Sequence, residues 1–383
     1  FLLFGILILS SIFASLIFNK LNFFNYFFSL TILIIVIEII FRNLFKILKG
    51  EPYYLGKFFF KLSYVKTHPY LPYVLNRKTQ TLEKRKTNYK LQKNEYYFPQ
   101  LTTNNLGFLN GHNGDRDIII PKPQDLLRIN CLGNSTTLNY ISYNSENFTY
   151  PLELEKILKK KFDRKIEVNN CGFGLYNSAD LFIRFALQII DTNPDIVILY
   201  HGHNDYEAYI TKGFKSDYSH IRKNLSENYW KVKLSNKIPN FKLKFLDFII
   251  EQFFPRNMRN SLKGFITKGK LDLKTEYKDK LKIFRRNIQY MIDLAVSNKI
   301  EVILSTYCYY LFNAIKNDEK YKLIEEIILA ENEIIRSLAI KNNLKLVDNA
   351  NMIKKNSENF LDEQHFTPEG MKVIAKNISN LIK

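Results

Sequence analysis

Two short runs in this chain bring together residue types that can activate a hydroxyl. The first is Gly133-Asn134-Ser135-Thr136-Thr137, where a small residue ahead of Ser135 permits a tight turn that presents its side chain. The second is Asp362-Glu363-Gln364-His365, with a carboxylate three residues before an imidazole and just ahead of Thr367-Pro368. A serine hydroxyl becomes a nucleophile when a base takes its proton, and an imidazole serves best when a carboxylate orients its other ring nitrogen. The three-residue spacing lets Asp362 reach one nitrogen of His365 while the other faces the serine. Two further runs offer hydrogen-bond donors to a charged oxygen. The glycines of Asn170-Cys171-Gly172-Phe173-Gly174 leave the backbone free to aim N–H groups at a ligand. Gly202-His203-Asn204-Asp205 supplies a side-chain amide. Each run alone has an ordinary explanation as a turn, a loop or a helix cap.

The elements that must position them follow from hydrophobic periodicity. Residues 126–132 (LLRINCL), 166–168, 196–200 (IVILY), 302–306 (VILST) and 344–347 (LKLV) are short apolar runs of the kind found in parallel strands buried on both faces. Amphipathic stretches at 151–162, 179–190, 277–297 and 321–341 alternate with them, and a last helix starts at Thr367 and Pro368, a capping residue followed by proline at the first helical position. This alternation predicts a doubly wound α/β sheet whose ligands sit at the carboxyl ends of the strands. Three of the four polar runs follow a predicted strand, and the fourth precedes the last helix.

Taken in this order, the four runs resemble the four sequence blocks of the SGNH (GDSL-like) hydrolases. The resemblance spans residues 126–382 and is longest over 168–205, including Asn193-Pro194-Asp195 and Tyr200-His201-Gly202-His203-Asn204-Asp205. Weaker similarity lies upstream in His68-Pro69-Tyr70-Leu71-Pro72-Tyr73 and Thr103-Asn104-Asn105-Leu106-Gly107-Phe108, and the whole is similar to membrane-associated bacterial members. It implies a flavodoxin-like doubly wound parallel sheet and an esterase without metal or organic cofactor. Ser135 would attack an ester carbonyl, with His365, held by Asp362, as base and then acid. The oxyanion would receive the Ser135 N–H, a glycine-loop N–H and the Asn204 side chain. Two positions depart from the family pattern. Asn134 stands where the family has Asp or Gly, and the family's oxyanion glycine aligns with Leu175, one residue after Gly174. Leucine keeps the N–H, but a positive φ there would strain it, so Gly174 and Leu175 are both candidates for the loop donor. A neutral base implies activity rising with pH through the ordinary histidine range, about 6 to 7.

The remaining sequence bears on location and partners. Residues 1–18 carry no charge, a second apolar run covers 21–40, and each approaches the ~20 residues that span a bilayer. Arg42, Lys46, Lys49, Lys57 and Lys61, interleaved with aromatic residues, fit a headgroup-level collar. The predicted organisation is a transmembrane hairpin over 1–48, a mostly irregular connector over 49–124 that packs on the domain, and a hydrolase domain over 125–383 with an insertion at about 206–273. Within that insertion, residues 241–254 read as a lid, a membrane-contacting helix or insertion core. The net charge of +19 is spread along a Lys- and Asn-rich chain without a basic block, which speaks against a nucleic-acid partner. Cys131, Cys171 and Cys308 imply buried thiols rather than a disulfide framework. His201 and His203 lack metal-site spacing, and Asp348 reads as a cap. The expected partners are a membrane and an acylated glycan or lipid; the acyl chain, the sidedness and the oligomeric state are not legible. An acyltransferase using the same site, or a tethered binding protein that has lost activity, would carry the same motifs.

Overall fold

The computed structural model describes residues 29–33, 36, 65, 66, 68, 70–81, 84–87, 95–221 and 272–383. Helical residues 29–33 and 36 belong to one unit of the chain and every other described residue to a second. The second unit is built on five parallel strands, β1 (Leu126–Gly133), β2 (Lys165–Gly172), β3 (Ile196–Tyr200), β4 (Glu301–Ser305) and β5 (Lys345–Val347), in the order β5-β4-β3-β1-β2. The direction of winding reverses between β1 and β3, and such a switch point leaves a crevice at the strands' carboxyl ends. All five residues of β3 are buried, as its unbroken apolar run requires of a central strand covered on both faces.

The helices are α1 (Ser135–Leu138), α2 (Tyr150–Lys161), α3 (Ser178–Arg184), α4 (Tyr206–Ile210), α5 (Leu281–Ser297), α6 (Glu319–Lys341), α7 (Asn349–Met352) and α8 (Pro368–Ser379). The longer ones follow the amphipathic stretches, three short ones (α1, α4 and α7) were not read from the sequence, and local chemistry starts several of them. Asn177 and Asp180 form a reciprocal capping box at the start of α3, and a π-helical turn (Phe185–Ile189) continues it. The Thr367 hydroxyl accepts the Gly370 N–H at the start of α8. Gly370 is required there because a β-carbon would lie 2.2 Å from the Asn359 carbonyl.

Among the described residues ahead of β1, several from 71–118 are part of this unit's core. Leu71, Tyr73, Leu75, Leu101, Phe108, Leu109 and Ile118 are all buried. Short strands Arg85–Lys86 and Tyr97–Phe98 join a hairpin, Ile141–Tyr143 with Glu146–Phe148, in an antiparallel sheet that the sequence pattern did not disclose. The hairpin turns on Asn144 and Ser145, both with positive φ, which is the geometry of a tight turn between twisted strands. Residues 206–221, at the head of the expected insertion, pack inward through Tyr209, Ile210 and Tyr218, while 222–271 lie outside the described residues. Most of the two N-terminal apolar runs also lies outside them; among the described residues no helix is long and apolar enough to cross a membrane. The three cysteines are buried and free.

Candidate active site

Ser135 owes its position to close approach at the end of β1. A β-carbon on Gly133 would sit 2.1 Å from Thr137 Oγ1 and 2.3 Å from the Tyr200 carbonyl, so only glycine lets the chain turn into α1 against β3. Gly172, at the end of β2, is equally constrained, since a β-carbon would meet the Leu138 nitrogen at 2.4 Å. Asn134 caps α1, its Oδ1 accepting the Thr136 N–H at 3.1 Å and the Thr136 hydroxyl at 2.8 Å. Its Nδ2 donates to the Gly202 carbonyl at 2.6 Å. An aspartate could make the cap but not that donation, so Asn134 ties the serine turn to the loop after β3.

The relay is assembled from the far end of the chain. His365 Nε2 lies 3.1 Å from Ser135 Oγ, and His365 Nδ1 lies 2.8 Å from Asp362 Oδ2 and 3.1 Å from Asp362 Oδ1. With Nδ1–H donating to the carboxylate, Nε2 is left to accept from the serine hydroxyl. Asp362 also accepts the backbone N–H groups of Gln364 at 2.9 Å and His365 at 2.7 Å, so the turn fixes its own carboxylate. Partial burial opposes ionisation of Asp362, but the adjacent imidazole and these hydrogen bonds hold its pKa down at about 2. Burial likewise opposes a charged His365, and the Asp362 carboxylate outweighs it, raising the imidazole above its ordinary value. The base therefore titrates higher than the range expected from an unperturbed histidine.

The donor side lies across the switch point. Leu175 has φ 63°, the left-handed conformation that glycine takes at low cost, whereas Gly174 does not adopt a positive φ. After β3 the Asn204 N–H donates back to the Gly202 carbonyl at 2.9 Å across His203, whose φ is 72°; this is a strained γ-turn. Asn204 Nδ2 donates one hydrogen to the Tyr176 carbonyl at 2.9 Å, and its Oδ1 is 3.1 Å from His203 Nδ1. An amide nitrogen carries two hydrogens, so one remains for another acceptor. The loop after β2 and the loop after β3 are thus joined through Asn204. Buried Asp205 joins them again, accepting from the Ser178 N–H at 2.9 Å, the Tyr218 hydroxyl at 2.9 Å and, at the same distance, His201 Nε2.

Of the residues singled out in the sequence, Ser135, Asp362 and His365 meet directly, while Gly174, Leu175 and Asn204 share the neighbouring loops. His201 is the partner of Asp205, and His203 packs against Tyr206, Tyr307 and Tyr309. Asp348 precedes α7 without capping it; its carboxylate instead accepts from Thr306 at 2.8 Å and Arg336 at 2.8 Å. Sequence reasoning missed Tyr307, which packs on Gly202 and donates to Gln364 Oε1 at 3.1 Å, linking the β3 loop to the relay turn. It also missed Tyr73, whose only sequence signal was the weak upstream similarity. Among the described residues no group of His, Cys, Asp and Glu is arranged to hold a metal ion.

A family model described as GDSL-like Lipase/Acylhydrolase matches residues 131–373. No curated protein sequence matches the chain. Solved structures similar to it include a lipase/acylhydrolase from Enterococcus faecalis, at 16% identity over 67% of this chain and 94% of that one, with a TM-score of 0.40. A GDSL-like lipase from Bacteroides thetaiotaomicron aligns at 17% identity over 66% and 86%, TM-score 0.38. A catalytic mutant of an acetylxylan esterase from Geobacillus stearothermophilus aligns at 13% identity over 66% and 92%, TM-score 0.39.

Proposed function

Because this chain belongs to the GDSL-like lipase/acylhydrolase family and so acts on ester bonds, we propose that it is a membrane-anchored serine esterase removing acyl groups, O-acetyl among them, from a glycan or lipid. The observation that carries the reading is the unbroken relay from Asp362 through His365 to Ser135 Oγ, with spacings of 2.8 and 3.1 Å. Ser135 attacks the acyl carbonyl while His365 takes its proton at Nε2. The tetrahedral oxyanion accepts hydrogen bonds from the Ser135 N–H, the Leu175 N–H and the free hydrogen of Asn204 Nδ2. His365 then protonates the leaving alcohol, and water, activated in the same way, releases the acid from the acyl-enzyme. Asp362 keeps the imidazole in the required tautomer and stabilises its protonated form. Two uncharged or nearly uncharged N-terminal runs of spanning length, followed by a basic aromatic collar, support the anchoring, and anchoring sets acylated glycans and lipids within reach.

A fluorophosphonate tests the chemistry: it should label wild-type protein and fail on Ser135→Ala, and labelling that survives this substitution overturns the serine mechanism. Extraction with alkaline carbonate tests the anchor. Full-length protein should stay with the membrane, and its release without proteolysis would remove the anchoring from the proposal.

A further inference from the structure

We propose that Tyr73, far upstream of the motif residues, is a positioning residue that sets the orientation of the peptide carrying the loop's oxyanion donor, an inference that rests on the Ser135 reading above. Tyr73 holds the loop from both sides of Leu175. Its hydroxyl donates to the Gly174 carbonyl at 2.5 Å, and its own carbonyl accepts the Tyr176 hydroxyl at 2.5 Å. Both tyrosines are buried and meet edge to face at 5.5 Å, with Phe173 stacked on Tyr176 at 4.9 Å and Phe108 against Phe173 at 5.8 Å.

The consequence follows from peptide geometry. In a trans peptide the C=O of one residue and the N–H of the next point to opposite sides of one plane. Holding the Gly174 carbonyl toward Tyr73 therefore turns the Leu175 N–H away from Tyr73. A half-turn of that plane would reverse both groups, and it would carry φ of Leu175 from 63° into the negative range that leucine prefers. Leucine at this place thus favours the reversed peptide, which would present a carbonyl where a donor is needed. The Tyr73 hydroxyl opposes that reversal. Glycine, nearly indifferent to the sign of φ, would need the clasp less, so Tyr73 and Leu175 are energetically linked.

The test is a mutant cycle in the full-length protein with p-nitrophenyl acetate and a fluorophosphonate as probes. Tyr73→Phe removes the hydroxyl while keeping the ring and the backbone acceptor for Tyr176. It should lower kcat and the labelling rate by about 10- to 100-fold, short of the ~10²–10³ for deleting a donor outright, with KM within about twofold of wild type. Tyr73→Phe/Leu175→Gly should recover a large part of that loss. An active wild type whose kcat and labelling are unchanged by Tyr73→Phe overturns the clasp alone. A loss that follows thermal stability and is not relieved by Leu175→Gly also overturns it, since packing then explains the effect. Wild-type protein inert to both probes overturns the Ser135 reading and the clasp with it.

Discussion

The two sides of the site are built in opposite ways. On the relay side one four-residue turn supplies both partners of the serine: Asp362 accepts from the Gln364 and His365 N–H groups and from the imidazole, while Tyr307 and Tyr310, close together in the chain, brace the turn from outside. No residue of that turn has a positive φ. On the donor side Leu175 and His203 both do, and the loops that contain them are held by Tyr73, by Asn134 and by the adjacent Asn204 and Asp205, drawn from three separate parts of the chain. Strained backbone persists only where its surroundings over-determine it, and these hydrogen bonds are those surroundings. A hydroxyl and a base need one short contact, whereas an oxyanion hole needs several donors aimed at one point before the charge forms. One local turn serves the first, and distributed bracing serves the second.

Substitutions can break this contrast, the relay giving the largest effects. Ser135→Ala and His365→Ala should each lower turnover by roughly 10³-fold or more, and the double mutant should be scarcely worse, because the two act as a unit. Steady-state kinetics on an ester that the wild type cleaves will show whether the losses multiply, which would mean the two act separately.

Asp362→Asn should cost about one to two orders of magnitude less than loss of Ser135. It should also move the pH profile. His365 must be neutral to accept a proton, so kcat/KM rises as pH passes through its pKa; with the Asp362 carboxylate raising that pKa, the midpoint should lie above the ordinary histidine value. Removing the carboxylate leaves burial as the main influence, and the midpoint should fall. A midpoint that stays put in Asp362→Asn would show that another group governs the limb.

On the donor side, Asn204→Ala should reduce kcat by about 10²- to 10³-fold if its free hydrogen serves the oxyanion. Asn134→Asp restores a residue usual in the family, yet it sets a carboxylate against the Gly202 carbonyl in place of a donor. Denaturant unfolding should register a loss of about 1–3 kcal/mol. An unchanged midpoint would mean that the 2.6 Å bond adds nothing to the bracing.

The smallest effect sharpens the comparison. Leu175→Gly relieves a left-handed leucine worth ~1–2 kcal/mol, offset in part by the greater freedom of glycine in the unfolded chain. Activity should hold or rise slightly while stability changes by less than about 1 kcal/mol. A tenfold loss of activity would show that the leucine side chain itself is needed.

What the sequence determined by itself was what depends on local pattern. Short, largely apolar runs give the five parallel strands, and in the central β3 the run is unbroken and every residue is buried, since a strand covered on both faces has no polar face to alternate. A carboxylate three residues ahead of an imidazole gives the relay turn, and Thr367-Pro368 gives the start of α8. The order of the four polar runs, three after strands and the last ahead of α8, gives the family, through resemblance rather than periodicity. The antiparallel hairpin escaped notice although Asn144-Ser145 carries a turn signal, because its strands are only three residues each and too short for a period to register. The choice between Gly174 and Leu175 was also out of reach. Composition favours the glycine, but the positive φ falls on the leucine, where two hydrogen bonds to one residue about a hundred positions away, Tyr73, oppose a local preference of about one or two kcal/mol. Tyr73 could not be read as part of the site for the same reason: a side chain's partner across the fold leaves no trace in local spacing, and only the tertiary structure brings its hydroxyl to the Gly174 carbonyl.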